Sequence, residues 1–516
     1  MLLHEPFDFH ALSRPDFDFT QFEGCGITYG QAKARSEQLA AVLWSLGIGK
    51  GARFAILMRN SPDVLLLFLA ASRLGAVPVP LNYRLAPREW AEIMADAGAE
   101  LIVADAAFTE GLDAALAQRE MMRLCADGEA PGWPALQSLL AAVPPLTAPV
   151  ITPSDILFQM YTSGTTGCPK GALLSHRAIV GNIVQSSFAA PYKLSPGERT
   201  LVVLPLFHIA AIATALGAAC SGATLMIHRE VDPAAIARAL TEDDIVTATF
   251  VPSVIQFLLA LPGLDKMRFP GLKALGYGAS PIAAPVLQHA LEVFDCAIYQ
   301  GYGMTELGGS CCYLTEADHR KALAGRADLL LSAGRPLPGS EVRVVGPDDE
   351  PLPAGVTGEI VVRGEQLMSG YWQMPEATAE TLRGGWMHTG DAGYFDEDGY
   401  LFIRDRIKDM IVSGAENIYP AEIEGVLYKH SGVAEVAVIG VPDPRWGETV
   451  MAVIVPRGES GATPEELEAF CREHLGGFKV PRRYEFLEAL PRNAAGKIMK
   501  RELRERHWSG HDRRVS

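Results

Sequence analysis

Apolar positions along the first half of the chain switch between helical and strand spacing. Thr28 and Gln31 form a capping box, Leu39, Val42, Leu43 and Leu46 recur on one helical face, and Gly47 stops the helix. Residues 54–58 are a short apolar run and predict a strand. Ser61 and Pro62 open a helix to Leu74, Gly75 ends it, and 77–80 returns to a sheet. Residues 101–104 predict a third strand. The same alternation recurs with strands at 200–204, 246–250, 274–277 and 297–300, and helices at 233–240, 253–261 and 283–294. It predicts layered α/β structure.

The texture then changes. Residues 342–345, 358–363 and 400–403 are short alternating strands between Pro- and Gly-rich turns, which predicts a small β-rich subdomain. The run 404–409 is charged, lacks an apolar face and reads as an exposed linker. Beyond it, helix 421–430, strands 435–440 and 451–456 and helix 463–475 predict a compact α+β tail. The fold class is therefore α/β: a large N-terminal domain of several subdomains, 1–404, a hinge at 405–408, and a small α+β C-terminal domain, 409–516.

Composition narrows the function. A chain of 516 residues exceeds one ordinary core, and 48% hydrophobic with 21% charged residues is a globular balance. The formal charge is −16; residues 409–516 hold 15 Lys plus Arg against 17 Asp plus Glu, so −14 lies on residues 1–408. Such an acidic surface argues against nucleic acid as the main partner. The eight cysteines show no C-x-x-C pair, consistent with reduced thiols in a cytoplasmic protein. Residues 1–8 carry no secretory pattern. The uncharged stretch 209–227 is rich in Ala and Gly, which predicts a buried helix running into a buried strand and no transmembrane segment.

Five clusters carry chemistry. Tyr161-Thr-Ser-Gly-Thr-Thr-Gly-Cys-Pro-Lys-Gly171 follows an apolar run; its glycines turn backbone N–H groups inward, its hydroxyls add donors and Lys170 adds a cation, a set suited to polyphosphate. Gly171 after Lys170 excludes a Walker A motif. Gly276-Tyr-Gly-Ala-Ser-Pro281 lets a flat ring approach the backbone after a strand. Gln300-Gly-Tyr-Gly-Met-Thr-Glu306 offers an aromatic face, a hydroxyl and a carboxylate. Thr389-Gly-Asp391 and Arg406 supply an acceptor and a donor for a ribose, and Asn493-Ala-Ala-Gly-Lys497 sets a lysine on a glycine-containing turn.

In this order the clusters resemble the adenylate-forming superfamily of acyl-CoA synthetases, peptide-synthetase adenylation domains and luciferases. The similarity runs from about residue 26 to 505 and includes PLFHI, GEIVVRG, HTGD, DRIKDMIVSGAENIYPAEIE and PRNAAGKIMKREL. It implies that Thr162, Ser163, Gly164, Thr165, Thr166, Gly167 and Lys170 hold the β- and γ-phosphates of ATP. Gly278, Ala279 and Ser280 would flank adenine, with Tyr302 stacking on it between Gly301 and Gly303. Thr305 would touch the α-phosphate and Glu306 would ligate Mg²⁺. Asp391 and Arg406 would bind the ribose, and Lys497 would bridge the acyl carboxylate and the α-phosphate. Lys408 matches the hinge about which the C-terminal domain turns, bringing Ser413, Gly414 and Ala415 to the pantetheine of coenzyme A. Ala415 departs from a common second glycine and narrows that passage; Asp405 replaces a frequent glycine, a change expected to bear on linker stiffness.

His208, in Pro205-Leu-Phe-His-Ile209, stands where amino-acid-activating relatives carry an aspartate, and resembles the acyl-CoA ligases, in which this histidine lies by the acyl carbonyl. Ala210, Ala211, Ala213 and Gly217 beside it leave room for an apolar tail. The implied reaction joins a small-molecule carboxylic acid to CoA at the expense of ATP. A medium- or long-chain fatty acid is favoured, with an aryl acid of the hydroxycinnamate type, or loading of a carrier protein, as alternatives. Peripheral membrane contact and a homodimer are compatible with this reading.

Overall fold

Gln31 donates its backbone N–H to Thr28 Oγ1 and accepts that of Thr28 at Oε1, so the expected capping box starts helix Tyr29–Ser45. Leu39, Val42 and Leu43 are buried on its inner face, and Gly47 reverses the chain at φ +83°. Helix Pro62–Leu74 starts without a capping bond from Ser61, on the fixed φ of Pro62 alone. Ten of its thirteen residues are buried, which is why its sequence is apolar all round. Each buried leucine there contributes roughly 1.5–3 kcal/mol.

The computed structural model describes residues 1–117, 119–140, 149–162, 169–280, 282, 284–413, 416–458, 461–492 and 498–508, with the side chains of 408, 416 and 417 left aside. The chain forms two compact units, Met1–Val342 with Val362–Met387, and Arg343–Val361 with His388–Ser516.

The first unit holds a nine-stranded sheet in the spatial order Arg335–Pro336, Gly309–Leu314, Ala297–Met304, Ala274–Gly278, Ile245–Phe250, Arg199–Val202, Thr224–Ile227, Asp18–Phe22 and Cys25–Thr28. Its strands from Ala297–Met304 through Asp18–Phe22 are parallel. A second, parallel sheet joins Val77–Pro80, Arg53–Leu57, Leu101–Ala104 and Met122–Cys125. A three-stranded sheet pairs Ile156–Thr162 with Lys170–Ser175, and Gly370–Tyr371 adds to its edge. Residues 209–227 form helix Ile209–Cys220 followed by strand Thr224–Ile227, as expected, and no helix of the described residues is long and apolar enough to cross a membrane.

The second unit contains a four-stranded sheet of Glu341–Val345, Gly358–Arg363, Met387–Phe395 and Leu401–Arg406. It also contains a five-stranded sheet built on the long hairpin Val433–Asp443 and Gly447–Pro456. Both faces of that hairpin are covered, so its residues read apolar throughout instead of alternating. Val436 and Val438 pack with Ile423, Leu427 and Leu467 on one face, while Ala437, Ile439 and Val441 pack with Leu503 on the other.

The charged run 404–409 is not an exposed linker. Leu401–Arg406 is a strand and Ile407–Asp409 a single 3₁₀ turn, and the side chains of Asp405 and Asp409 are only 8% and 14% exposed. Both carboxylates have partners. Asp405 Oδ2 accepts the Ala421 N–H at 2.9 Å and lies 3.9 Å from Lys500 Nζ, and Arg504 donates to Asp409 at 2.6 Å. The two cations come from helix Lys500–Glu505, too far along the chain for charge patterning to reveal.

Candidate active site

The antiparallel pairing of Ile156–Thr162 with Lys170–Ser175 sets Thr162 opposite Lys170 at the mouth of the phosphate-type loop. Ser163, Gly164, Thr165, Thr166 and Gly167 lie outside the described residues. Thr162 donates to Glu306 Oε1 at 3.2 Å, and the Tyr371 hydroxyl donates to the same oxygen at 3.0 Å. Lys170 Nζ stands 4.9 Å from the centre of the Tyr371 ring, a cation–π distance. Glu306 is 7% exposed and follows Thr305 in the 3₁₀ turn Thr305–Leu307. The carboxylate from one motif and the cation from another are thus gathered by Tyr371, a residue that the sequence reading passed over. Its backbone explains its position: Tyr371 pairs with Ala172 as the third strand of the loop's own sheet.

The residues present fit Mg²⁺ in the way ATP enzymes hold it. That ion takes one or two carboxylates, keeps several waters and draws its other ligands from substrate phosphates. Glu306 is one such carboxylate beside the phosphate-type loop, and among the described residues no three His, Cys, Asp or Glu side chains form a metal cage.

The adenine-type cluster is shaped by backbone crowding. A Cβ on Gly278 would meet the Gly301 carbonyl oxygen at 2.4 Å, and one on Gly303 would meet that of Gly309 at 1.9 Å. Only glycine fits at either place. Ala279 has φ +66°, a left-handed conformation that costs a non-glycine residue on the order of 1 kcal/mol and collects at functional sites. Ser280 beside it is exposed, and Tyr302 is partly exposed on strand Ala297–Met304, next to the register shift that precedes Gly303.

In the second unit, Asp391 and Arg406 are register partners on antiparallel strands, and Arg406 Nε lies 2.7 Å from Asp391 Oδ1. Thr389 Oγ1 accepts the Asp391 N–H at 3.1 Å and donates to the Ile360 carbonyl at 2.7 Å, which fixes the turn from Thr389 to Asp391. Lys408 sits in the 3₁₀ turn Ile407–Asp409; its side chain is outside the description. Ser413 ends strand Ile411–Ser413 and pairs with Gly447. Gly414, Ala415 and Lys497 lie outside the described residues, though Arg492 and Ile498, which flank Lys497, form an antiparallel bridge.

His208 precedes the first turn of helix Ile209–Cys220, and its ring lies 4.4 Å from that of Phe207. The loop before it hangs on Asn60, also missed by the sequence reading. Asn60 is 1% exposed; its side chain donates to the Leu204 and His228 carbonyls at 3.0 and 3.2 Å and accepts the Leu206 N–H at 2.9 Å. Burial, aided by the Arg84 charge, pushes the His208 pKa down to about 4. The imidazole is therefore neutral at pH 7, an uncharged hydrogen-bonding group and not a counter-ion.

Burial likewise pushes His176 down to about 4, with its Nδ1 accepting the Leu3 N–H at 3.2 Å. It pushes Asp105, which accepts the Arg59 N–H at 2.8 Å, up to about 6. Between pH 6.5 and 4 the unfolded chain protonates both histidines and the folded chain does not, so their contribution to stability is lost as pH falls. Asp105 acts in the opposite sense between pH 6 and 3.8, because its folded form binds the proton first. Among these three groups one net proton remains, a contribution of about 1.4 kcal/mol of lost stability per pH unit below pH 6. His4, His10, His228 and His319, also lowered by burial, act in the same sense, and Glu424, raised by burial, in the opposite one. Urea unfolding at pH 7, 6 and 5 checks this; equal midpoints would refute it, and His176→Asn is expected to flatten the slope.

Comparison with known proteins identifies the family. Residues 7–372 match the AMP-binding enzyme family and residues 422–497 match the AMP-binding enzyme C-terminal domain. The chain is 40% identical over 494 residues to a feruloyl-CoA synthase of Amycolatopsis sp, covering 94% of each chain. It is 38% identical over 514 residues to a fatty acid–[acyl-carrier-protein] ligase of Streptomyces coeruleorubidus, covering 98% of this chain and 97% of the other. The ATP-bound structure of MatB from Rhodopseudomonas palustris superposes with a TM-score of 0.89 at 29% identity, covering 99% of both. With the motifs in order and both family regions present, the chain belongs to the AMP-binding, adenylate-forming enzymes.

Proposed function

We propose that this protein is an AMP-forming acid–CoA ligase. In the first half-reaction a carboxylate oxygen of the acid attacks the α-phosphorus of ATP; the bond from that phosphorus to the bridging oxygen breaks, and pyrophosphate leaves with the electron pair. In the second, the CoA sulfur, having given up its proton, attacks the acyl carbonyl, AMP departs and a thioester remains. The reading rests on Glu306 accepting from Thr162 and Tyr371 while Lys170 faces the same tyrosine ring. A metal carboxylate and a phosphate cation held together suit the charge of a departing pyrophosphate.

Thr162, Lys170 and the loop between them bind the β- and γ-phosphates, and Glu306 holds Mg²⁺, which when bound neutralises charge on the reacting phosphates. Gly278, Ala279, Ser280 and Tyr302 accept adenine, Asp391 and Arg406 the ribose. Lys497 serves the first half-reaction. Ser413, Gly414 and Ala415 serve the second, with Lys408 as the pivot between a domain of residues 1–404 and one of 409–516. Neutral His208 stands at the acyl carbonyl, ahead of the small residues of helix Ile209–Cys220. Those residues leave room for the apolar body that a medium- or long-chain fatty acid or an aryl acid would bring. The aryl acid is supported by Tyr299 and Tyr313, whose rings meet at 5.3 Å on one face of the nine-stranded sheet.

The test is a screen of fatty, benzoic and cinnamic acids for pyrophosphate release with and without CoA, with thioester identified by mass. A thioester with AMP and pyrophosphate in equal amounts is expected; an acyl-adenylate that never transfers to CoA would overturn the ligase reading. Glu306→Gln is expected to lower the rate by about 10²-fold and to raise the Mg²⁺ concentration needed for half-maximal rate. An unchanged Mg²⁺ dependence would count against Glu306 as its ligand.

A further inference from the structure

A parallel sheet covered by helices on both faces normally reads as a continuous run of Val, Ile and Leu. One face of the nine-stranded sheet does not. Strand Ala297–Met304 is interior to the sheet, yet of its eight residues only Ile298 is fully buried. The registers place Thr249, Gly276 and Tyr299 side by side on three adjacent strands, and Gly301 opposite Tyr313. Because side chains alternate along a strand, Tyr299 and Gly301 share a face. The opposite face of these strands carries Ala248, Phe250, Leu275, Tyr277 and Ile298, all buried.

The two glycines leave space that hydroxyl-bearing side chains fill. A Cβ on Gly276 would come within 2.8 Å of the Tyr299 hydroxyl and 3.1 Å of Thr249 Oγ1, so both hydroxyls converge over Gly276. A Cβ on Gly301 would come within 2.8 Å of Ser310 Oγ and 3.2 Å of Tyr313 Cε1. The Tyr299 and Tyr313 rings lie 5.3 Å apart, tilted by 50°. Thr249, Tyr299, Ser310 and Tyr313 all keep part of their surface accessible, although they lie in the middle of the sheet.

The same face looks toward the helix that His208 begins. Helix His176–Ala189 packs on strand Gly309–Leu314, Asn182 on that helix donates to the Ser310 carbonyl at 2.6 Å, and Ser186 bonds the Tyr313 hydroxyl. Helix Ile209–Cys220 packs on Arg199–Val202 and on Gly309–Leu314, the strands on either side of the three that carry Tyr299, Gly276 and Thr249. The small residues of that helix, which from sequence alone offer room for a long tail, thus belong to a space with a hydroxylated and aromatic floor. Burial raises the pKa of both phenols, which keeps them neutral O–H donors.

We propose that Tyr299 and Tyr313 are specificity-determining residues of the acyl pocket, and that they select an aromatic acid bearing an oxygen substituent at the end far from its carboxylate. The two rings, in contact with each other, form a floor under the planar body of the acid, and their hydroxyls, with those of Thr249 and Ser310, hydrogen-bond its distal oxygen. Beyond its bond to Thr249, Ser186 or Ser310, each phenol keeps hydrogen-bonding capacity for a substrate oxygen, which an alkyl chain leaves unused. A site built to bond a substrate hydroxyl disfavours the analogue that lacks one. The inference rests on the acid–CoA ligase reading of the same site.

The test compares kcat/KM for 4-hydroxycinnamate, cinnamate and decanoate in the full-length wild type, Tyr299→Phe and Tyr313→Phe. The wild type is expected to favour 4-hydroxycinnamate over cinnamate by on the order of 10²-fold. Each Phe variant is expected to cut that ratio by about 3–10-fold, chiefly through KM for the hydroxylated acid. A Tyr299→Ala variant, which clears the floor over Gly276, is expected to gain on decanoate relative to wild type. Preference of the wild type for decanoate, or a hydroxyl ratio unchanged in both Phe variants, would overturn the assignment. Failure of every acid to give a thioester would instead overturn the ligase reading, and melting curves identify a variant that has failed to fold.

Discussion

Lys497→Ala is expected to lower acid-dependent ATP–pyrophosphate exchange by at least about 10²–10³-fold, the cost of removing one charge-stabilising donor from a transition state. Thioester formation from a supplied acyl-adenylate and CoA is expected to keep most of its rate. The reason is electrostatic. In the first half-reaction two anions must meet, a carboxylate and the α-phosphate, and negative charge grows on the phosphate oxygens as they do. A lysine bridging both lowers that barrier. In the second half-reaction the phosphate is already joined to the acyl group as a mixed anhydride and leaves as AMP, so the same cation has much less to do. Lys170 does not replace it, because its partner Tyr371 is shared with Glu306, the groups assigned to pyrophosphate and its metal. Equal loss of both half-reactions would sink the division of labour between Lys497 and the residues around Ser413.

The second large effect is on stability. Lys500 Nζ lies 2.8 Å from Glu424 Oε1 and 3.9 Å from Asp405 Oδ2, and all three side chains are at most 16% exposed. Burial works against the ammonium, but Glu424 and Asp405 more than offset it, and the Lys500 pKa is raised. Glu424 also accepts the Val438 N–H at 2.7 Å. Lys500→Met leaves two buried carboxylates without their cation, a loss of roughly 3–5 kcal/mol. At about 2–4 °C per kcal/mol, the melting transition of this unit is expected to fall by on the order of 10 °C. Pairing it with Glu424→Leu is expected to recover part of the loss, since a buried ion pair replaced by apolar groups costs little. A shift below about 2 °C for the single variant would show that the cluster is more solvated than its geometry implies. Asp405 therefore carries structural weight beyond linker stiffness, and the chain segment that contains Lys497 is anchored directly downstream by this cluster.

Much of this architecture is visible in the residues themselves. The capping box at Thr28, the αL glycine at 47 and the helix-to-strand passage through 209–227 follow from local rules, because each depends on neighbours a few positions apart. Chemistry in order along the chain was legible too: Thr162, Glu306, Asp391 and Arg406 sit on strands and turns of the expected kind. What escaped depends on partners distant in sequence. Tyr371 reaches Glu306 only through a strand added to the loop's sheet, and Asn60 reads as an ordinary polar residue until its three bonds to a distant loop are seen. The acidic residues of 404–409 look solvated because their cations lie on the last helix. The small residues after His208 suggested open space; register alone brings Tyr299 and Tyr313 to the face beneath. Within the adenine-type cluster the positive φ falls on Ala279 and not on the adjacent Gly278.

The strand Gly370–Tyr371 also sets a timetable for the newborn chain. The hairpin that carries the phosphate-type loop emerges from the ribosome about two hundred residues before the strand that completes its sheet, an interval of roughly 10–40 s at ordinary rates of synthesis. Through that interval its outer edge lacks its partner, and Glu306, made in the last third of it, waits for the Tyr371 hydroxyl. Translational pausing or chaperone occupancy is most consequential in that window, and a chain truncated before Gly370 would release a first unit with an open strand edge.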